Sequence, residues 1–355
     1  MTGPFPMGIP WKRALAGLVL GRRARVDCFR TIADLLESEF ELERALDINI
    51  RAMRGQGPSL RARLLEGWRR ALVENRFPAA MAATAPPAEA MIFQAYGRID
   101  ADVLFAAAAR VADLRDRQIS AVQKALAMPL TLAGGLAVML WAAGGYFVPV
   151  LESVVPPERW GPAAGLFRAS AAWLHAEPLT FLAISAAIVA GLSAVMVYWT
   201  GPGRTALDRI APFSLYRTIT GSAFLFVALE FLKAGVDLND SAFEDLKRHA
   251  SPYARDRIRA IQHGMTRGAG FGRAMALAGH GFPDPALVPV AAALDGAPGW
   301  ENRLSGFVER WVGRSEDLLK SRATALNGVL LIAVTVVMAA GIDAMFSVLQ
   351  QAGRP

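Results

Sequence analysis

The chain has 355 residues, 54% of them hydrophobic, with a net charge of +7 and one cysteine. That length allows two or three domains, and so large an apolar share exceeds that of an ordinary soluble chain and points to membrane segments. The lone cysteine, Cys28, excludes an internal disulfide and a cysteine-rich metal site, and reads as a small buried apolar side chain.

Residues 1–25 form an N-terminal segment whose short apolar run, Ala14 to Leu20, lies between Lys12-Arg13 and Arg22-Arg23. It is too short to span a bilayer, and no small-residue cleavage pattern follows, so it reads as amphipathic or interfacial. Gly17 and Gly21 have GxxxG spacing but lack the membrane-length apolar helix that motif needs. Residues 26–120 read as a first helical domain, with Phe29, Ile32, Ala33, Leu35 and Leu36 recurring at three- and four-residue intervals. Breaks are expected at Gly55 to Ser59, with Ser59 as an N-cap, and at Pro86-Pro87. Nothing alternates as a strand would.

From Ala125 to Leu151 there is no charge. As a helix this run would reach about 40 Å, enough for a hydrocarbon core of roughly 30 Å, so 125–151 is the first predicted transmembrane helix. Trp141 and Tyr146 suit an interfacial belt near its far end. A connector, 152–177, leads to a second uncharged stretch, predicted as a transmembrane helix over 178–200. A second hydrophilic helical domain occupies 204–322, a third transmembrane helix 323–347, and a short tail 348–355. Three spans place the two large domains on one side of the membrane. Arg115, Arg117, Lys124, Arg204, Arg209, Arg217, Lys320 and Arg322 flank the spans on that side, against Arg159 and Arg168 in the connector, so the domains are expected in the cytoplasm.

The two helical domains echo each other. Leu36 to Leu42 answers Leu232 to Leu238 at an offset of 196, with Glu39 where the second copy has Gly235. Pro58 answers Pro252, Phe77 answers Phe271 and Ala80-Met81 answers Ala274-Met275, all at 194, and Gly97 answers Gly299 at 202. Offsets that hold within blocks and drift between them suggest a duplication with small loop insertions. Gly97, Gly235, Gly268 and Gly299 are the expected structural turns, Gly235 at the left-handed end of a helix. Ser241 to Glu244 has capping-box spacing and is expected to open the next helix.

No catalytic, cofactor-binding or metal-ligating set emerges. Gly268-Ala-Gly270-Phe-Gly272 fails the dinucleotide pattern at its last position and follows no strand, so it reads as a turn between helices. His175, His249, His263 and His280 show no i, i+4 ligand pair. The first two spans carry no ionisable residue, which argues against a transporter. The arginine-rich faces alternate with Asp and Glu, as in Arg110 to Arg117, and read as solvated rather than as a nucleic-acid surface.

Leu232-Lys-Ala-Gly235-Val-Asp-Leu238, Gly268 with Phe271, Phe282-Pro283, the duplication and the order of spans together resemble the type II secretion system protein F family. That family includes the inner-membrane platform proteins of type IV pilus assembly. Its late Gly-Glu-x-x-Gly is altered here: Gly296 stands in the glutamate's place before Gly299, and Gln94 precedes Gly97 at the same spacing. With Glu39 replacing the turn glycine of the first copy, these departures suggest a divergent, type IVb-like branch. The resemblance implies an all-α polytopic membrane protein with three transmembrane helices and two homologous cytoplasmic helical-bundle domains. It further implies a non-enzymatic platform in the bacterial inner membrane without cofactors. Such a platform would form homo-oligomers in membrane lipid beside other inner-membrane assembly proteins. It would couple a cytoplasmic hexameric assembly ATPase to pilin or pseudopilin subunits entering a filament. The alternative is a membrane-anchored helical receptor or interaction protein without a filament role.

Overall fold

A computed structural model describes residues 19–55, 59–210 and 212–352. Among these there is no strand, and the chain is all-α. The segment expected as an interfacial helix, 14–20, and Pro58 lie outside the described residues except at its last two positions.

The first set of helices is α1 (Arg22–Glu37), α2 (Leu42–Arg54), α3 (Leu60–Val73), α4 (Phe77–Thr84), α5 (Pro87–Phe93) and the start of α6 (Ala101–Ala142). Ser59 caps α3 by accepting from the Arg61 N–H, and the expected break at Pro86-Pro87 opens α5, where a proline at N1 gives up no helical bond. Apolar faces turned inward meet around Phe29, Phe77, Phe93 and Phe105, whose rings lie 5.2–6.1 Å apart in edge-on and tilted pairs. Cys28 is buried in this core, and burial pushes its thiol up to about 12. Maleimide labelling at pH 8 is therefore expected to leave Cys28 unmodified in the native protein and to react within minutes once the chain is unfolded.

The second set is α10 (Arg204–Leu207), α11 (Phe213–Lys233), α12 (Asp240–His249), α13 (Pro252–Thr266), α14 (Phe271–Leu277), α15 (Val288–Leu294) and the start of α16 (Trp300–Ala352), numbered after α7, α8 and α9 described below. Its core gathers Phe224, Phe271, Phe282 and Trp300. The sequence expectation for α12 is corrected: its N-cap is Asn239, which accepts from the Ala242 N–H, and Ser241 lies inside the helix. An amide side chain two residues earlier does the work assigned to the serine.

The two sets end their helices in the same way. Glu39 N–H donates to Leu36 and Phe40 N–H to Leu35; 196 residues on, Gly235 N–H donates to Leu232 and Val236 N–H to Phe231. A second such pair joins Asn75 to Leu72 and Arg76 to Ala71, answered by Gly268 to Met265 and Ala269 to Gly264. These are Schellman ends, in which a left-handed residue turns the chain back onto its last carbonyls. Glu39 (φ 63°) and Asn75 (φ 53°) adopt that conformation with side chains, where the second set uses Gly235 (φ 74°) and Gly268 (φ 85°). A left-handed non-glycine residue costs about 1–2 kcal/mol, while glycine loses about 0.5–1 kcal/mol through the unfolded chain. Glu39→Gly is therefore expected to raise stability by about 1 kcal/mol and Gly235→Ala to lower it by about 1 kcal/mol, read from denaturation midpoints.

The structure divides into two units. One comprises the chain up to Gln118 with Val195–Gly313, the other Ile119–Ala194 with Arg314–Pro355. Both helical sets fall in the first, sharing one continuous apolar core.

Three helical stretches are long and apolar enough to cross a membrane: Ala101–Val154, Pro178–Tyr198 (α9) and Phe213–Lys233 (α11). Burial separates them. The apolar window is 6% buried in the first and 0% in α9, but 61% in α11. A helix enclosed to that extent has little surface left for lipid, so α11 is the central core helix of the second set. The third expected span, 323–347, lies within α16, whose described residues include the apolar run Leu331–Asp343.

In the second unit, α6 passes into a π-helical turn at Ala143–Phe147 and continues as α7 (Val148–Val154). The connector is itself structured. α8 (Pro162–Ala176) packs Phe167 and Ala171 against Val148 and Leu151, and Arg168 pairs with Glu152. Gly144 allows this approach, since a Cβ there would collide with the Ala171 carbonyl. His175 reaches the Trp141 carbonyl at 3.1 Å, meeting an acceptor just before the wider turn.

Candidate functional site

The polar chemistry of the first unit is concentrated in two buried charge clusters and in the seam between its helical sets. The first cluster follows α9 directly. Tyr198 ends the apolar helix, Gly203 turns the chain with φ 84°, and Arg204 opens α10 with its side chain directed inward. Arg204 and Asp208, one helical turn apart, are at most 1% exposed and bonded at 2.9 Å. Arg204 also donates to the Val195 carbonyl at 2.9 Å, binding the end of α9 to this cluster. From α13, the Tyr253 hydroxyl donates to Asp208 at 3.0 Å and Arg257 stands 3.6 Å from the same carboxylate. The Arg204 and Arg257 guanidinium carbons lie 4.3 and 5.2 Å from the Tyr253 ring centroid. Burial, with the Asp208 charge, holds the Tyr253 phenol above its ordinary range, so it remains a donor.

The second cluster is in the first set. Glu89 on α5 is fully buried, with Arg25 Nε of α1 2.8 Å from its carboxylate. The two side chains form a buried ion pair, 8% and 0% exposed. Burial outweighs the attraction of Arg25 and Arg115 and raises the Glu89 carboxyl to about 7.

Between the sets, Gln118 of α6 donates to Ser222 of α11 at 2.9 Å, both buried. Arg110 of α6 meets Glu230 of α11 at 2.6 Å, and Arg98 pairs with Asp245 of α12. α11 passes close to the loop before α15 at Gly221, where a Cβ would strike Pro283.

Gly97, Gly235, Gly268 and Gly299 all have positive φ, between 64° and 85°. They stand at separate helix ends and are not brought together. The glycine-rich segment 268–272 is closed from within: Asp295 accepts from the Arg273 N–H at 3.1 Å and occupies the space a Cβ on Gly270 would take. The protein thus supplies its own carboxylate at that helix start. Among the described residues no three His, Cys, Asp or Glu side chains gather as a metal site requires.

Sequence reasoning did not single out Arg25, Glu89, Asp208 or Tyr253, and Arg257 figures in it only as part of the Arg255 to Ile258 run that answers Arg61 to Leu64 in the repeat. Glu89 left a signal, as the only charge between Phe77 and Gly97. Asp208 left none, since it sits in an ordinary charged stretch and its partner Tyr253 is 45 residues away. No family model matches this chain, and no curated protein matches it in sequence.

Proposed function

We propose that this chain is an inner-membrane assembly platform of the type II secretion system protein F family, serving a type IV pilus, of a type IVb-like branch, or a type II secretion machine. In this reading the two helical sets descend from one duplicated domain and lie in the cytoplasm, and 125–151, 178–200 and 323–347 cross the membrane. A hexameric assembly ATPase engages the cytoplasmic sets, and the platform moves pilin or pseudopilin subunits from the bilayer into a filament. It acts as a homo-oligomer with other inner-membrane assembly proteins.

The observation that carries the reading is the repeated pair of Schellman turns, at offsets of 196 and 193, in helical sets that precede α6 and α16. The buried clusters suit a mechanical part. Breaking a buried pair by removing one partner costs about 3–5 kcal/mol, so Arg204 and Asp208 fasten the end of α9 to α13 more firmly than surface pairs would. α9 has none of its apolar window buried, which leaves its sides open to lipid and to another apolar helix.

Co-purification tests the proposal. The tagged full chain, extracted in mild detergent, is expected to bring a hexameric ATPase with it in at least one nucleotide state, while a tagged inner-membrane protein of unrelated fold does not. Intact, monodisperse protein that carries no ATPase with ATP, ADP or neither would leave the receptor reading in its place.

A further inference from the structure

α3 and α13 end in the same pair of turn bonds, through Ala71 in one and Gly264 in the other, but their outer faces differ. In the second set α13 lies directly on α14: a Cβ added to Gly264 would stand 3.0 Å from Ala274. In the first set the corresponding helices are joined by the Trp68 Nε1–H bond to the Thr84 hydroxyl at 2.9 Å, but their outer rim is open. An open groove of about 580 Å³ runs between them, lined by Gly67, Arg70 and Ala71 of α3 and by Arg76, Ala79 and Ala80. Glu74 at its end is paired with Arg76.

Gly67 is unexplained by internal packing. It lies in the middle of α3, where glycine weakens a helix relative to alanine. It has no positive φ, and a Cβ there would meet nothing within 4 Å. A mid-helix glycine with open space above it suits the close approach of a backbone from outside. The rim supplies charge. Arg63 and Arg70 are exposed, two turns apart on one face of α3, and neither side chain has an ion-pair or hydrogen-bond partner among the described residues. Their positions along the helix differ by about 10.5 Å, which is the spacing of positions i and i+7 on a second helix. Leu60 and Val73, at 63% and 66% exposure, add apolar contact at the two ends of α3.

We infer that the α3–α4 groove is a docking site for an acidic helix of a partner protein. That helix carries carboxylates at i and i+7 opposite Arg63 and Arg70, with small residues between them over Gly67 and Ala71. Small residues bring the two backbones together, and the paired charges set register and polarity.

The test uses the full chain in its own membranes, with a photo-cross-linking amino acid at Ala79 and the adduct mapped by mass spectrometry. The expected adduct is a segment of another protein whose helical face bears Asp or Glu seven residues apart. Arg63→Glu with Arg70→Glu is expected to lower its yield at least tenfold, and exchanging the two carboxylates of the captured segment for lysine to restore it. Gly67→Leu is also expected to lower the yield at least tenfold without lowering the melting temperature, since leucine is the better helix former. Adducts confined to lipid or to copies of this chain would overturn the inference. So would a captured segment without the paired carboxylates, or failure of the charge exchange to restore capture.

Discussion

Replacing Asp208 by alanine is expected to cost about 3–5 kcal/mol or more. The carboxylate accepts from Arg204 and Tyr253 and faces Arg257, and all four side chains are buried. Its removal leaves two guanidinium groups and a phenol in the interior without their shared acceptor. Both guanidinium groups stay in the interior, where a buried charge without its acceptor carries a desolvation cost. Against a total stability of about 5–15 kcal/mol, that loss would raise the unfolded-to-folded ratio by a factor of about 10²–10⁴. Pulse proteolysis of the detergent-solubilised chain reads it directly. Asp208→Asn keeps an acceptor and should lie between wild type and Asp208→Ala. A drop below 1 kcal/mol for Asp208→Ala would mean that water solvates the cluster and that it does not fasten α9.

Glu89 gives the second large effect, and its sign depends on pH. Its carboxyl is held at about 7, against 4.5 in the unfolded chain, so the folded protein retains a proton that the unfolded chain releases between those values. Stability from this group is full below about 4.5, falls as pH rises to about 7, and is flat above that, a total change on the order of 3 kcal/mol. The two partners are then unequal under substitution. Glu89→Ala leaves the buried Arg25 without its carboxylate and should cost about 3–5 kcal/mol at pH 7 and above. Arg25→Met strands Glu89, which can take up a proton; its cost should be smaller at pH 6 than at pH 8. Arg25→Met with Glu89→Leu should recover most of the loss and abolish the pH dependence between 4.5 and 7. Denaturation midpoints of the four proteins at pH 5, 6, 7 and 8 check this. An Arg25→Met variant equally weakened at pH 6 and 8 would show that Glu89 does not titrate in that window.

Much of the fold was legible because it depends on neighbours in sequence. The helical period, the uncharged runs and the prolines set α3, α5 and α9, and α9 ends within two residues of its expected limit. Gly235 was readable as a left-handed helix end. Glu39 takes the same conformation although its side chain gives no such hint, because the Schellman bonds and the packing behind them determine the turn. α11 shows the limit of composition: it is as apolar as a span, and only its burial places it in a core. Both charge clusters depend on long-range pairing, Arg25 with Glu89 and Asp208 with Tyr253, and periodicity within one helix carries no information about such partners. The π turn at Ala143–Phe147 escaped notice because its features, two glycines and the contact from His175, acquire meaning only when α8 folds back.

The most direct test of the platform role is at α9. A photo-cross-linking residue at Val189, which is 63% exposed, should report what lies beside this helix in living cells. The platform account predicts an adduct with the apolar helix of a pilin or pseudopilin, abundant with an active assembly ATPase and lost when that ATPase cannot hydrolyse ATP. Adducts only with lipid or with copies of this chain, unchanged by the state of the ATPase, would contradict it.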